Sequence, residues 1–276
     1  MTFSIVARSD DGLFHGVAVA SKFLAVGAAV PAARAEVGAL ATQAYANLAF
    51  GPQGLTLLDT GVAPEDTVAA LIAGDRGRGQ RQLGVVGTSG SGATYTGDDC
   101  PHWAGGHAGP GYAIQGNILT GPQVVDAMRD TWCARTELDF ARRLLAALAA
   151  GDAAGGDRRG RQSAAIHIVG KNAGYGGTSD LAMDLRVDDH ADPVTELGRL
   201  VEAHHLYFGT PEESELLALS DGLAEEVSQL LARLGHTGTL ETAINSWAGI
   251  ANLEERLVPG KIDPLVLDQL RRDAAE

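Results

Sequence analysis

Thr2-Phe3-Ser4-Ile5-Val6-Ala7-Arg8 runs into Ser9-Asp10-Asp11-Gly12 and then into Phe14-His15-Gly16-Val17-Ala18-Val19-Ala20-Ser21-Lys22. The first run reads as a strand that begins at the second residue. Ser-Asp-Asp-Gly is a turn signal, and the second run is a strand again. Apolar residues fall on both parities of Gly16–Ala20, so both faces of this hairpin are expected to be buried. A hairpin covered above and below needs layers on each side, and the rest of the chain has to supply them.

The pattern outward from the hairpin does so. Residues 37–45 continue as strand. Gly51-Pro52-Gln53-Gly54 opens a helix near 55–59, and Ala63-Pro64-Glu65-Asp66 starts a second with Val68, Leu71 and Ile72 on one face. Residues 82–86 and 93–96 form a hairpin around Ser89-Gly90-Ser91-Gly92. Thr120-Gly121-Pro122 caps a helix with Val124, Val125, Met128 and Trp132 on one side. Leu138, Ala141, Leu144, Leu145 and Leu148 mark another, which Gly155-Gly156-Asp157 breaks. Residues 162–169 and 181–187 return to strand. Two sheets with helices outside, a four-layer αββα sandwich of the α+β class, satisfies this order. A doubly wound sheet would alternate strand and helix singly.

Charge and glycine divide the chain near residue 188. Residues 1–187 hold 15 basic and 17 acidic groups and 29 of the 36 glycines; the remainder holds 6 basic and 18 acidic groups. The expected domains are 1–187 and 193–276, joined through Asp188-Asp189-His190-Ala191-Asp192-Pro193. The second is all helical: Leu197, Leu200, Val201 and His204 share a face. Val227, Leu230, Leu231 and Leu234 form a stripe closed by Gly235. Leu240, Ala243, Ile244 and Trp247 form another, and Asp263-Pro264 caps the last helix.

A net charge of −14 over 276 residues argues against nucleic acid and against anionic membranes as partners. The start has no basic leader and no stretch is long and apolar enough to span a bilayer, so a cytoplasmic protein with reduced Cys100 and Cys133 is expected. There is no phosphate-binding Gly-Lys loop, no Gly-x-Ser-x-Gly elbow and no His-Glu-x-x-His. Cys100, His102 and His107 match no standard zinc spacing, and a packed turn is the better reading, so neither metal nor cofactor is expected. A cysteine enzyme built on Cys100 with His102 or His107 lacks an orienting partner.

Thr2 is the residue with chemistry. Once Met1 is removed, its hydroxyl and its own α-amine form a nucleophile–base pair, and an α-amine near pKa 7.7–8.0 is well placed for proton transfer. Around it, Lys22 is one of only three lysines. It either lowers the proton affinity of the amine or is a strand-end lysine reaching for solvent. Only one of the adjacent Ser21 and Lys22 can face Thr2. Asn47 is the candidate oxyanion donor, against a turn-forming asparagine. Gln43 and Asn117 are polar residues among the strands. Arg34 either clamps a substrate carboxylate or bridges to Glu36 or Asp157. Asp157, with Arg161, either orients the Thr2 amine or ties loops together.

Five segments carry a resemblance: Thr2–Arg8, Gly16–Lys22, Ala41-Thr42-Gln43-Ala44-Tyr45-Ala46-Asn47, Gln115-Gly116-Asn117-Ile118-Leu119 and Gly155–Ala164. Together they resemble the domain of unknown function 1028 (DUF1028) family over about residues 1–187. That family is grouped with the N-terminal-nucleophile hydrolases, which implies an αββα sandwich and a hydrolase ancestry but no substrate. The tail, through Leu206-Tyr207-Phe208-Gly209, Trp247-Ala248-Gly249 and Asn252–Arg256, resembles the peptidoglycan-binding-like domain often attached to it. Two functional expectations follow. One is an amidohydrolase acting through Thr2, with Lys22 and Asn47, on a small-molecule amide, imide or peptide. The other is a non-catalytic scaffold whose acidic tail binds a peptide or muropeptide, or packs on the first domain or a second subunit of a homo-oligomer.

Overall fold

The structure is a computed structural model, and it describes residues 2–275. The expected removal of Met1 therefore lies outside the described residues. The chain divides into two compact units, Met1–Val201 and Glu202–Glu276. The division falls inside a helix whose Val194, Leu197 and Val201 are buried in the core of the first unit.

The first unit runs β1 (Thr2–Arg8), β2 (Phe14–Ser21), β3 (Pro31–Arg34), β4 (Gly38–Ala44), α1 (Phe50–Asp59), α2 (Pro64–Ala73), β5 (Arg81–Gly87) and β6 (Ala93–Thr96). It continues with β7 (Trp103–Gly109), β8 (Tyr112–Leu119), α3 (Gln123–Ala134), α4 (Phe140–Ala153), β9 (Ser163–Gly170), β10 (Leu181–Val187) and α5 (Pro193–Phe208). One sheet has the order β10-β9-β2-β1-β8-β7 and the other β3-β4-β5-β6; neighbouring strands are antiparallel throughout.

The period-2 alternation of β1 builds the layers. Phe3, Ile5 and Ala7 pack with Met128, Leu144 and Leu148 of α3 and α4. Val6, with Val17 and Val19 of β2, points the other way onto Ala39, Ala41 and Val86 of the second sheet. The outer face of that sheet, Leu40, Leu83 and Val85, is covered by Leu55 and Leu58 of α1 and Val68 and Leu71 of α2. The result is the expected four-layer αββα arrangement. Three strands of this unit were not legible in the sequence, nor were the two-residue strands Leu217–Ala218 and Lys261–Ile262 of the second unit, which was expected to be all helical. β3 is four residues long. β7 and β8 together carry Gly105, Gly106, Gly109 and Gly116 and show no clean alternation. They are strands because β1 offers an unpaired edge that β8 fills over six register pairs, from Thr2↔Asn117 to Ala7↔Tyr112.

Two histidines in this core respond to pH. His15 of β2 is fully buried, and burial, helped by the Arg8 cation, pushes its pKa below the usual value against a contact with the Gly87 backbone. Burial does the same to His167 of β9, aided by Arg186 and opposed by Asp184. Both rings therefore take up a proton at lower pH in the folded chain than in the unfolded chain, which does so near pH 6.5. Their stability contribution is full above about pH 6.5 and falls as the pH drops from there toward the depressed folded values. Urea midpoints should be lower at pH 5.5 than at pH 7.5, and His15→Gln should flatten that difference.

The second unit holds the end of α5, β11 (Leu217–Ala218), α6 (Asp221–Arg233), α7 (Leu240–Ala251), β12 (Lys261–Ile262) and α8 (Pro264–Asp273). Its core gathers Val227, Leu231, Ile244 and Trp247, positions given by the helical periodicity, together with Leu267 and Leu270 of α8. Asp263 accepts from the Leu265 backbone N–H at 2.8 Å, the expected cap of α8. Buried Arg256 pairs with Asp263 and donates to the carbonyls of His205 and Leu206, which ties the end of α5 to this unit. Among the described residues no helix is long and apolar enough to cross a membrane.

Candidate functional site

Thr2 opens the strand at the seam between the two sheets. Its side chain lies on the same face of β1 as Ser4, the face turned to the second sheet. Its hydroxyl is hydrogen-bonded to the Ser21 hydroxyl at 3.0 Å, and the residue is 6% exposed. Of the adjacent Ser21 and Lys22, it is thus Ser21 that faces Thr2, as the pairing of β1 with β2 requires.

Six buried polar residues continue from there: Thr2, Ser4, Gln43, Gln82, Gln115 and Asn117. Ser4 donates to Gln43 Oε1 at 2.6 Å and accepts from Gln115 Nε2 at 2.6 Å. Gln43 Nε2 and Asn117 Nδ2 both donate to Gln82 Oε1, at 2.8 and 2.9 Å. Each also approaches the Thr2 carbonyl, at 3.3 and 3.4 Å. Gln82 Nε2 donates to the Gly116 carbonyl at 2.7 Å and to Thr96 Oγ1 at 2.9 Å. The sheets meet closely here because Gly84 has no side chain: a Cβ on it would lie 2.0 Å from Gln115 Oε1. Five side chains joined in a low-dielectric seam hold one another's orientation, which is what a site requiring fixed geometry needs.

The seam opens at one end into a cavity of about 280 Å³ lined by Ala44, Tyr45, Gln80, Asp99, Asn117 and Ile118 among others. Two of these have positive φ, Ala44 at 65° and Ile118 at 51°. The left-handed region is costly for any residue with a Cβ and most of all for a β-branched one. Strain of this kind, of order 1–3 kcal/mol per residue, persists where the surroundings enforce it and clusters at functional sites. A larger cavity, about 770 Å³, lies at α1 and α2 and shares no lining residue with the first. Its Asp75 carboxylate is already paired with Arg81 at 2.7 Å, so it offers less unmet polar chemistry.

A family model described as "Family of unknown function (DUF1028)" matches residues 2–197. The chain belongs to this family. A second model, described as "Putative peptidoglycan binding domain", matches residues 207–270. Among solved structures, the chain is similar to the crystal structure of a DUF1028 protein from Silicibacter pomeroyi. The two are 27% identical with a TM-score of 0.67, over 88% of this chain and 97% of that one. No curated protein matches.

Within the DUF1028 unit the residues singled out in the sequence separate into two groups. Thr2, Gln43 and Asn117 come together in the seam. The others are held elsewhere. Lys22 is exposed and its ammonium donates to the Arg161 carbonyl at 3.1 Å. The Asn47 side chain accepts from the Ala49 N–H at 3.2 Å, a local turn at the mouth of the α1–α2 cavity; Thr2 is not among its partners. Arg34 pairs with Asp59 at 3.0 Å on the surface rather than with Glu36 or Asp157. Asp157 is buried but its carboxylate accepts from the Lys22 and Arg159 backbone N–H groups, at 2.8 and 2.7 Å. Arg161 pairs with Asp152 at 2.9 Å. Asp157 ties the 157–161 loop to the end of β2, and Arg161 ties it to α4. Burial pushes the Cys100 thiol's pKa up, which disfavours a thiolate nucleophile. His102 and His107 turn instead to Arg158 and Asp126.

Sequence reasoning left open which of Ser21 and Lys22 faces Thr2, and it missed Ser4, Gln82 and Gln115. The available signal was polar residues at alternate positions of apolar strands, Thr2 and Ser4 in β1 and Gln115 and Asn117 in β8. On a face predicted to be buried, each such residue requires a partner on the facing sheet.

Proposed function

We propose that the DUF1028 unit is an amide-bond hydrolase in which Thr2 is the nucleophile, acting on a small amide, imide or peptide C–N bond. The observation that carries this reading is the Thr2 hydroxyl. It is buried at the first position of the central hairpin, held by Ser21 at 3.0 Å, and its cross-strand partner Asn117 lines a cavity. With the preceding residue removed, Thr2 Oγ1 attacks the substrate carbonyl carbon and its proton passes to the Thr2 α-amine. The tetrahedral adduct collapses, the C–N bond breaks, and the proton goes to the leaving nitrogen. Water then hydrolyses the ester and regenerates the hydroxyl. Ser21 acts as a positioning residue that sets the Thr2 rotamer. Lys22 and Asn47 have no place in this scheme, because their side chains serve other loops.

A screen of small amides, cyclic imides and dipeptides for released amine or ammonia tests the proposal. The base must be unprotonated to accept the Thr2 proton. For any substrate found, kcat/KM should therefore rise with pH and level off above the amine pKa, about 7.7–8.0 in an unperturbed chain. A screen with no turnover, or a rate indifferent to pH over that range, would count against it.

The match over residues 207–270 favours a separate role for the second unit, binding of a peptide or muropeptide. Tyr207 and Phe208 are 37% and 52% exposed and supply aromatic surface for it. Full-length protein should co-sediment with purified peptidoglycan, and Phe208→Ala should weaken the association; full-length protein left in the supernatant would refute this role.

A further inference from the structure

The buried network has a direction. The Gly116 carbonyl can only accept, so it fixes the Gln82 amide with nitrogen toward it, at 2.7 Å. Gln82 Oε1 therefore faces Asn117 and Gln43, and both must present their nitrogens. The second proton of Asn117 Nδ2 points at another acceptor, the Thr2 carbonyl, at 3.4 Å. Every contact forces the same orientation on Asn117, and its Oδ1 is left over. That atom is buried and has no hydrogen-bond partner, in a residue only 1% exposed. A buried acceptor without a donor is destabilising, so a structure that keeps one does so for a reason.

Asn117 lines the 280 Å³ cavity, at the small end of the range for ligand sites. The strained Ala44 and Ile118 line the same cavity as Asn117, the residue that carries the unmet acceptor. Among the described lining residues the one carboxylate is Asp99, which is exposed, and none is a lysine or arginine. Among the described residues the wall thus offers acceptors, the neutral donors of Tyr45 and Gln80, and one negative charge, with no cation to receive an anion.

We infer that this cavity takes a small molecule by an N–H donor group, a protonated amine or a primary amide, which donates to Asn117 Oδ1, while Asp99 favours the cationic form. This deepens the hydrolase reading by naming what the substrate must carry: an N–H-bearing group beside the scissile bond, and no carboxylate at that end.

The test separates binding from turnover by using full-length Thr2→Ala protein. Three matched probes are titrated by ligand-observed NMR: L-alaninamide, with both donor types; N-acetyl-L-alaninamide, a neutral amide; and N-acetyl-L-alanine, its carboxylate. The two amides should bind, alaninamide more tightly, with the carboxylate at least about tenfold weaker. Asn117→Leu should abolish amide binding. Should that variant fail to fold, Asp99→Asn at the exposed rim should weaken alaninamide while sparing the neutral amide. Absence of amide binding at about 10 mM, or equal affinity for the carboxylate, overturns the inference. Binding without any turnover in the wild-type protein would instead remove Thr2 chemistry and leave this site standing.

Discussion

Thr2→Ala should lose at least about 10⁴-fold in kcat on any substrate the wild-type chain turns over, because deleting a nucleophile leaves only binding and electrostatics to help water. The same change should be mild for stability. It removes one hydroxyl whose hydrogen bond to Ser21 contributes roughly 1 kcal/mol, and it leaves the Thr2 carbonyl to Gln43 and Asn117. Thr2→Ser keeps both the hydroxyl and the Ser21 partner, so it should retain measurable turnover. This contrast separates chemistry from folding. A Thr2→Ala enzyme within tenfold of wild type would take the hydroxyl out of the reaction.

The second large effect is structural. Gln82→Leu should destabilise the first unit by on the order of 3–4 kcal/mol, measured by urea unfolding. Gln82 is the hub of the seam: it accepts from Gln43 and Asn117 and donates to the Gly116 carbonyl and Thr96. Leucine of similar size strands two donors and a carbonyl, each worth about 1–3 kcal/mol when buried unpaired. The loss stays below that full sum because Gln43 and Asn117 retain their longer approaches to the Thr2 carbonyl. Gln82→Glu, which keeps the acceptor but not the donor, should fall between the two. A stability change under about 1 kcal/mol for Gln82→Leu would mean that water or rearrangement satisfies the seam and that it is not a rigid framework.

The layers were legible because they rest on periodicity. Phe3, Ile5 and Ala7 against Ser4 and Val6, and the helical faces of Val124–Trp132 and Ala141–Leu148, announce which way each element turns. Strands β7 and β8 were not legible: glycine weakens their alternation, and their pairing with β1 is a property of register across more than 100 residues of chain. The candidate site was legible in the same partial way. Thr2 and Gln43 stand out as polar residues in apolar strands and Asn117 as a polar residue among them, and the fold brings the three together. Asn47 and Lys22 were drawn in by adjacency in sequence to those strands, but each lies just past a strand end, where Asn47 bonds locally to the Ala49 N–H and Lys22 reaches the Arg161 carbonyl of another loop. Asp157 and Arg161 look chemical in sequence because they are charged, yet their partners, the Lys22 backbone and Asp152, hold a loop in place. Gln82 could be recognised only once its partners on the opposite sheet were known.

The most direct measurement is mass spectrometry of the N-terminal peptide of protein purified from its native host and treated with an amine-sparing acylating substrate analogue. The peptide should begin at Thr2 and carry the acyl group on the hydroxyl oxygen. A peptide that still begins at Met1, or an adduct on any other residue, would contradict the assignment of Thr2 as nucleophile.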